Sequence, residues 1–391
     1  MACPRVAEPD GPTVADLDAT MAFFESRPIM ERPLDPGLEP VVGLVDLSAE
    51  ACAACHAEIA AEWKLSVHSQ AWVDPQYQKE ITKSGNRWLC LNCHTPLLTQ
   101  QDVWPSGLED GDVDRPILAE NPYFDADLRN EGITCAACHV REGVVYGPGL
   151  GGDAPHPVKA DPGFRSGEMC HRCHQAERTY EGKNFVCTFT TAAELAAGAW
   201  AGEATCTSCH MPIVSRPAAT GGPVREVRRH WWKGAGIPKI AGVYPPQEAN
   251  SPGLDLRATW GDTLRIEMEN ARAGHMLPTG DPERWIAVDV RFLGDSGDVG
   301  TWTYRIGQRW EWEPSPKKLG DNRLAPKEVR IEEVPIPAGA LSAEIDAWNH
   351  RLSDANAEYH HLEDYPRKVR THHLQVGSVG SGMKQQQPPR R

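Results

Sequence analysis

Apolar residues alternate with polar ones over the last third of the chain, and this pattern predicts β-structure there. From about residue 255 onward the alternation appears first at Leu264, Ile266 and Met268. It returns after successive clusters of turn residues, at Ile286, Val288 and Val290, at Tyr304 and Ile306, and at Val329 and Ile331. A period of two in short, regularly spaced segments is typical of an antiparallel β-sandwich. We therefore predict a β-sandwich-like domain over residues 250–376, with a short helix near Ser353–Leu362 and a last strand near Val369–Val376.

The chain before residue 250 lacks this period and predicts short helices and loops. Residues 1–47, rich in Pro, Asp and Glu, are predicted to form an N-terminal arm with one helix over Val14–Glu25. Residues 377–391, rich in Gly, Ser and Gln, predict a disordered tail. The sequence has no stretch of about 18 apolar residues, so it predicts no membrane-spanning helix.

Composition narrows the class of function. The chain of 391 residues has 40 basic and 54 acidic residues, for a net charge of −14. This acidic balance argues against a nucleic-acid surface, which needs clustered Lys and Arg. The chain also has 12 Cys and 15 His. That number of cysteines is too small for a disulfide-rich miniprotein and too large for an ordinary cytosolic enzyme, so their spacing must indicate their role.

Most of the cysteines belong to five copies of one motif, Cys-x-x-Cys-His. This motif is the attachment signature of c-type haem, in which both thiols bond to the macrocycle and the adjacent His becomes the proximal iron ligand. The predicted attachment residues are Cys52, Cys55, Cys90, Cys93, Cys135, Cys138, Cys170, Cys173, Cys206 and Cys209. The predicted proximal ligands are His56, His94, His139, His174 and His210.

Two other roles for the motif explain its repetition less well. A structural zinc site usually pairs two Cys-x-x-Cys units and gives no reason for a His after every second Cys. A redox dithiol occurs once, near a βαβ pattern, rather than five times. We therefore predict five covalently attached haems c with their iron. Attachment within residues 52–210 predicts a mostly helical and loop domain over residues 48–245, with a core made largely of haem.

Histidines outside the motifs could provide the second axial ligand that a low-spin electron-transfer haem needs. His68 follows the first motif on an apparent helix, and His156 lies between the third and fourth motifs. His230 comes just after the fifth motif, and His275 lies in a loop constrained by Gly and Pro. Four C-terminal histidines are either donors to the fifth haem or exposed residues, and the sequence leaves both roles open: His360, His361, His372 and His373.

Several short segments resemble a known family. Trp-x-x-Ser-x-His-x-x-Ala at residues 63–71, Gly-Ile-Thr-Cys-Ala-Ala-Cys-His at 132–139 and Cys-His-Met-Pro at 209–212 are similar to multihaem cytochromes of the cytochrome c-554 type. Arg-x-His-x-x-x-Gly at 228–234 and Gly-His-x-x-Pro-Thr-Gly at 274–280 resemble larger bacterial members with a C-terminal β-domain. The type member has four motifs, whereas this chain has five. The resemblance implies that the distal ligands are His68, His156, His230 and His275.

Three hypotheses for function follow. The first is electron transfer along a chain of five mainly bis-His haems, with redox proteins as partners that the acidic charge attracts. The second is an oxidoreductase with one open haem acting on a small nitrogen or sulfur oxyanion, because four convincing distal histidines serve five irons. The third is a subunit of an extracellular cytochrome filament, in which a surplus C-terminal His caps a haem of the next copy.

Haem attachment also bears on location. Since c-type haem is attached outside the cytoplasm, we expect a periplasmic or extracellular protein. The N-terminus shows neither a basic n-region nor an apolar h-region, so we expect that an export signal has been trimmed from this sequence. Cys3 is a candidate for lipidation, which would associate the protein with a membrane. A homo-oligomer is a further hypothesis that the sequence leaves open.

Overall fold

The computed structural model describes residues 14–34, 41–84, 87–149, 154–180, 185–240, 243 and 253–378. Contacts divide the chain into two compact units. The first unit comprises Met1–Cys173 and Thr205–Trp232, and the second comprises His174–Ala204 and Lys233–Arg391. This division differs from the sequence-based domains because the segment before the fifth motif joins the C-terminal half. The predicted domain boundaries therefore stay predictions, and Cys3 and the tail beyond residue 378 lie outside the described residues.

The helices are short and occur mainly before residue 211. They are α1 (Val14–Glu25), α2 (Ala49–Lys64), α3 (Pro75–Ser84), α4 (Arg87–His94), α5 (Ala126–Asn130), α6 (Cys135–His139), α7 (Gly163–Ser166), α8 (Glu168–His174), α9 (Thr191–Ala197), α10 (Cys206–His210) and α11 (Asp354–His360). The predicted helix over Val14–Glu25 is confirmed. None of the helices in the described ranges combines the length and the apolar character needed to cross a bilayer.

His68 is not on a helix, contrary to the expectation from its sequence context. Helix α2 ends at Lys64, and residues 65–73 form a series of turns. The hydroxyl of Ser69 donates to the carbonyl oxygens of Lys64 (3.0 Å) and Ser66 (2.9 Å). These bonds satisfy carbonyl groups that a longer helix would have used, so the chain turns here instead of continuing as a helix.

Small sheets that the sequence pattern did not predict lie among the helices. They are formed by β1 (Val103–Leu108) with β2 (Pro116–Glu120), by β3 (Val140–Arg141), β4 (Val144–Gly147) and β5 (Val158–Ala160), by β6 (Ala176–Tyr180) with β7 (Phe185–Phe189), and by β8 (Ile213–Pro217) with β9 (Val224–Arg228). The β4–β5 pair is parallel and the others are antiparallel. Strands of two to six residues are too short to show a clear hydrophobic period.

The C-terminal part contains two antiparallel sheets, which confirms this part of the predicted fold class. Their strands are β10 (Leu254–Trp260), β11 (Thr263–Asn270), β12 (Trp285–Gly294), β13 (Gly297–Glu311), β14 (Lys317–Asp321), β15 (Val329–Pro335), β16 (Ser342–His350) and β17 (Lys368–Gly377). The strand orders are β10-β11-β15 and β14-β13-β12-β16-β17. Helix α11 is shorter than predicted, and the Ser353 side chain caps it by accepting from the Asn356 N–H.

One apolar cluster, to which both sheets contribute, forms the core of this part. Leu264, Ile266 and Met268 on β11 are fully buried, as their alternation predicted. Val329 and Ile331 lie on a strand, as predicted, but they are 48% and 43% exposed. Strand β15 is at the edge of its sheet, and its apolar pair faces away from the core. Alternation at these two positions therefore identified a strand but not a buried face.

Candidate functional site

All five Cys-x-x-Cys-His motifs take the same local structure. Each motif lies in a helix, and in α4, α6, α8 and α10 its His is the last helical residue. Helix α2 continues past His56, but the backbone leaves helical geometry at that residue (φ −103°, ψ 41°). Because helical residues three and four apart share a face, both thiols and the imidazole project from one side of a single turn. This is the arrangement needed to hold one macrocycle per motif.

Backbone carbonyl groups orient at least three of the five motif imidazoles. In each of these rings Nδ1 lies at hydrogen-bond distance from a carbonyl oxygen. The pairs are His56 with Ala218 (2.8 Å), His94 with Ala71 (2.9 Å) and His139 with Tyr146 (2.7 Å). When Nδ1 donates its proton to a carbonyl oxygen, Nε2 keeps its lone pair and is ready to bind a metal.

His139 and His230 face each other within the first unit. Their ring centroids are 6.2 Å apart, with an angle of 37° between the ring planes. Nδ1 of His230 lies 3.0 Å from the Arg228 carbonyl oxygen, so its Nε2 is also available. Burial lowers the pKa of His139. Burial, followed by the nearby His139, lowers the pKa of His230 to about 4. Both rings are therefore neutral at pH 7, the form that binds metals.

A buried carboxylate, which no sequence motif indicated, anchors the His230 backbone. Glu62, only 5% exposed, accepts the His230 N–H at 3.0 Å. It also accepts bonds from Arg216 (2.7 and 2.8 Å) and Arg229 (2.8 Å). Burial opposes ionisation of Glu62, but these donors outweigh it and lower its pKa. Glu62 lies on α2, so the network ties the helix of the first motif to the segment that carries His230.

Trp232 brings a second candidate ligand close to His230. Its ring centroid lies 4.6 Å from that of His68 and 5.1 Å from that of His230. The Val67 N–H donates to the Trp232 carbonyl oxygen at 2.7 Å, which joins the two segments through their backbones. The structure thus brings together two histidines that are far apart in sequence.

The other two candidate distal ligands lie in different surroundings. His156 is in the loop before β5, and its Nδ1 is buried without a hydrogen-bond partner in the described part of the chain. His275 belongs to the second unit, and its Nδ1 lies 2.9 Å from the Met276 carbonyl oxygen. The buried Asn270 side chain donates to the His275 carbonyl oxygen at 2.9 Å and so shapes this loop.

The second unit also holds His174, the histidine of the fourth motif. Phe189 on β7 makes an edge contact with the His174 ring, with centroids 6.3 Å apart. A Cβ at Gly280, at the end of the His275 loop, would lie 3.5 Å from the Phe189 ring. Glu194 on α9 accepts from Thr279 (2.7 Å). These contacts connect the His275 loop to the elements that follow His174, beside a cavity of about 480 Å³ lined by parts of α9 and by Met276.

The C-terminal histidines show no common arrangement. His373 lies 2.8 Å from the Asp346 carboxylate and His372 lies 3.0 Å from the Thr371 hydroxyl. His360 is buried and His361 follows α11 in a left-handed conformation. Nothing in this arrangement selects one of them as the donor to a fifth haem.

Comparison with known proteins relates part of the chain to a known family. Residues 51–112 match the family model described as cytochrome c554 and c-prime. The fold is similar to that of a penta-haem cytochrome c552 from Thermochromatium tepidum, with 19% sequence identity and a TM-score of 0.62. That match covers 87% of this chain and 100% of the other. Over residues 51–112 the chain therefore resembles multihaem cytochromes of the c554 type, and its fold is like that of a penta-haem cytochrome c. None of the curated proteins matches it.

The family match, together with the five Cys-x-x-Cys-His motifs, supports covalently bound haem c with its iron. None of the described cysteines forms a disulfide.

Thiols of different motifs lie near one another. The pairs near enough to affect each other's ionisation are Cys52 with Cys135, Cys93 with Cys173, and Cys170 with Cys206. The first motif therefore lies beside the third, and the fourth motif lies beside both the second and the fifth. Sequence reasoning could not find these neighbours, because the spacing of the motifs along the chain does not show which of them meet.

Proposed function

We propose that this cytochrome transfers electrons along five covalently bound haems, most of which have two axial histidines. The observation that carries this proposal is the pair formed by His139 and His230. Bound haem iron supplies one-electron chemistry, and axial ligation by two histidines leaves no position for a substrate. Backbone carbonyl groups of the protein hold the imidazoles of His56, His94 and His139.

The spacing of this pair supports its role as two axial ligands of one iron. Metal–imidazole bonds are about 2 Å long, and each ligating nitrogen lies about 1.1 Å from its ring centre, so opposite ligands have centroids about 6.3 Å apart. The distance between His139 and His230 is 6.2 Å. Since both Nδ1 atoms are at carbonyl oxygens, both Nε2 atoms remain for the metal. His230 would thus serve the third motif, although it follows the fifth in sequence.

Contacts in the second unit support His275 as the ligand opposite His174. The loop that carries His275 joins α9 through Thr279 and Glu194, and it meets Phe189 beside His174. His68 and His156 stay candidate distal ligands for the remaining haems. The fifth distal ligand is left unassigned.

Contacts between motifs support a continuous path for electrons. The pairing of Cys52 with Cys135 places the first and third motifs side by side. Cys138 also lies near enough to Cys173 for their charges to interact, which joins the third motif to the fourth. The fourth motif meets the second and fifth in turn. Attachment sites this close would keep successive haems within short distances of one another.

Charge and haem attachment support a role with soluble redox partners outside the cytoplasm. The chain has a net charge of −14, and each haem would add two propionates. Partners with basic faces would be attracted, and the association would weaken as salt is added. We propose a periplasmic or extracellular location, since c-type haem is attached there.

The test is the spin state of each haem in the purified holoprotein. In the wild type we expect low-spin haems at the third motif, with no carbon monoxide binding there. In His230→Ala one of the five haems should become high-spin and bind carbon monoxide, as measured by electron paramagnetic resonance and optical spectra. His350→Ala, in which the lost ring stacks on Trp285 in the β-domain, is the matched control. If His230→Ala kept every haem low-spin, the assignment would be wrong.

A further inference from the structure

Among the described residues, five arginines of the first unit have buried donors without acceptors. Two of them, Arg129 and Arg216, also form ion pairs, whereas the other three do not in the part of the chain that the structure describes. In Arg172, inside the fourth motif, Nε and Nη2 are buried and lack a hydrogen-bond partner in the described residues. The same is true of Nη1 of Arg141, at the end of β3, and of Nε of Arg32, which follows a 3₁₀ turn over Ile29–Glu31. A buried charged donor without a partner is strongly unfavourable, so each of these positions calls for an acceptor.

These three side chains, all in the first unit, are called the arginine cluster below. Arg32 and Arg141 are near enough to Arg172 to repel its charge, and the thiols of Cys93 and Cys173 lie beside it. Arg141 also lies over the Tyr146 ring, 5.3 Å from its centroid, which offsets little of the repulsion. Within the described ranges, no carboxylate forms an ion pair with any of the three.

Like charges that share a buried region need an anion between them. The guanidinium group matches planar oxyanions with paired N–H donors, so a carboxylate is the acceptor that the cluster would bind best. Each haem brings two propionate carboxylates, on the edge opposite to its thioether bonds. A propionate reaching Arg172 would therefore belong to a haem other than those attached at the adjacent Cys93 and Cys173.

We propose that Arg32, Arg141 and Arg172 form a buried oxyanion site, occupied by a propionate carboxylate of a neighbouring haem. This inference rests on the haem attachment proposed above. A free small oxyanion has the same chemistry and is the other source that the experiment must distinguish. In either case the cluster places positive charge near the attached haems, which disfavours the oxidised iron and raises the reduction potential.

The experiment compares the reduction potentials of the haems in the holoprotein, measured by spectroelectrochemistry. With a propionate as occupant, Arg172→Gln leaves the carboxylate in place without its cation. At a fixed applied potential, the ratio of reduced to oxidised haem should then fall about tenfold for one of the haems. For a one-electron couple this corresponds to a reduction potential lower by about 59 mV. Arg172→Lys should restore most of the potential, because it keeps the charge. Arg225→Gln, on the exposed face of β9, is the matched control.

Infrared difference spectra and added nitrite separate the two sources. For a propionate, the carboxylate band that changes on reduction should shift in Arg172→Gln, and nitrite should not alter the wild-type potentials. For a free oxyanion, nitrite should shift a wild-type potential, and Arg172→Gln should abolish that response. The proposal is overturned if the potentials and infrared bands of Arg172→Gln equal those of the wild type and nitrite has no effect.

Two further measurements keep the test independent of folding and of the proposed function. If Arg172→Gln fails to acquire all its haems, Arg141→Gln and Arg32→Gln should each produce a smaller shift of the same sign, and no shift in either overturns the proposal. Spin states are recorded for every variant. A failure of axial ligation would appear as high-spin haem in the wild type, whereas a failure of the oxyanion site would leave the haems low-spin with unchanged potentials.

Discussion

The two compact units differ in what fills their interiors. The second unit buries a continuous apolar cluster that includes Leu264, Ile266 and Phe292 and spans both sheets. Among the described residues, the first unit buries smaller apolar clusters, around Leu97 and around Leu91, besides single large side chains such as Trp88 and Trp104. Its interior also holds donors that lack acceptors within the described residues, among them those of Arg172 and His156.

The difference indicates which part of the chain depends on haem. A sheet core made of the protein's own side chains can fold by hydrophobic burial alone. Helices of five to eight residues, such as α6 (Cys135–His139), are too short to be stable without tertiary contacts. Covalently attached macrocycles would supply the apolar area and the acceptors that the first unit lacks. We therefore infer that the first unit acquires its structure with haem and the β-sheets acquire theirs without it.

The largest expected effect comes from withholding haem. If the chain is produced without haem attachment, the first unit should remain unfolded and the sheets of the second should form. Limited proteolysis with mass spectrometry should then give a resistant fragment containing residues 253–378, with cleavage throughout residues 41–149. The haem-loaded chain is the control and should resist cleavage in both units. If residues 41–149 resisted cleavage equally well without haem, the inference that the first unit depends on haem would be wrong.

A core substitution in the second unit tests whether its sheets are stabilised by the protein's own apolar side chains. Ile266 is fully buried, so Ile266→Ala should cost about 3 kcal/mol of the unfolding free energy of the sheets. Val329→Ala is the matched control, because this side chain is 48% exposed and its loss should cost about 0.5 kcal/mol or less. Denaturant unfolding is followed by circular dichroism for the sheets and by the Soret band for the haems. An equal shift of the Soret transition would show that the two units unfold together.

The same contrast explains how much could be predicted from the sequence. The buried face of β11 follows directly from a period of two, since it depends on local alternation. The helical Cys-x-x-Cys-His turns are equally local. The pairing of His139 with His230 is not a local feature. It depends on a tertiary contact that Glu62 maintains from a third segment. The arginine cluster likewise depends on three separate segments meeting.

The inclusion of residues 174–204 in the second unit could not be predicted for a similar reason. Arg323 pairs with Glu194 at 2.7 Å, and each side chain is only 9% exposed. Nothing in the local pattern of either residue indicates this partner. Sequence reasoning therefore identified the haem-binding chemistry but not how the segments between the motifs are distributed between the units.

The smallest expected effect is a difference in pH dependence. Burial opposes ionisation of Asp321 in the second unit, but bonds from Arg323 and Lys318 outweigh it and hold its pKa well below its usual range. Its contribution to stability is therefore present above about pH 4 and is lost as the pH falls toward the folded-state pKa. In the first unit, burial raises the pKa of Glu131, and the charges of Asp46 and Asp125 add to this. Its contribution is present below about pH 4.3 and is lost as the pH rises through the folded-state pKa.

Acidification from pH 6 to pH 4 should therefore stabilise the first unit slightly, and further acidification should weaken the second, each by about 1 kcal/mol or less. Urea unfolding of the holoprotein over this range, followed by the Soret band and by circular dichroism, measures the two separately. Glu131→Gln should reduce the pH dependence of the first unit's stability. Asp321→Asn should reduce that of the second unit. Asp295→Asn, in the exposed turn between β12 and β13, should change neither. If Asp321→Asn kept the wild-type slope below pH 4, its ion pairs would not account for the acid sensitivity of the sheets.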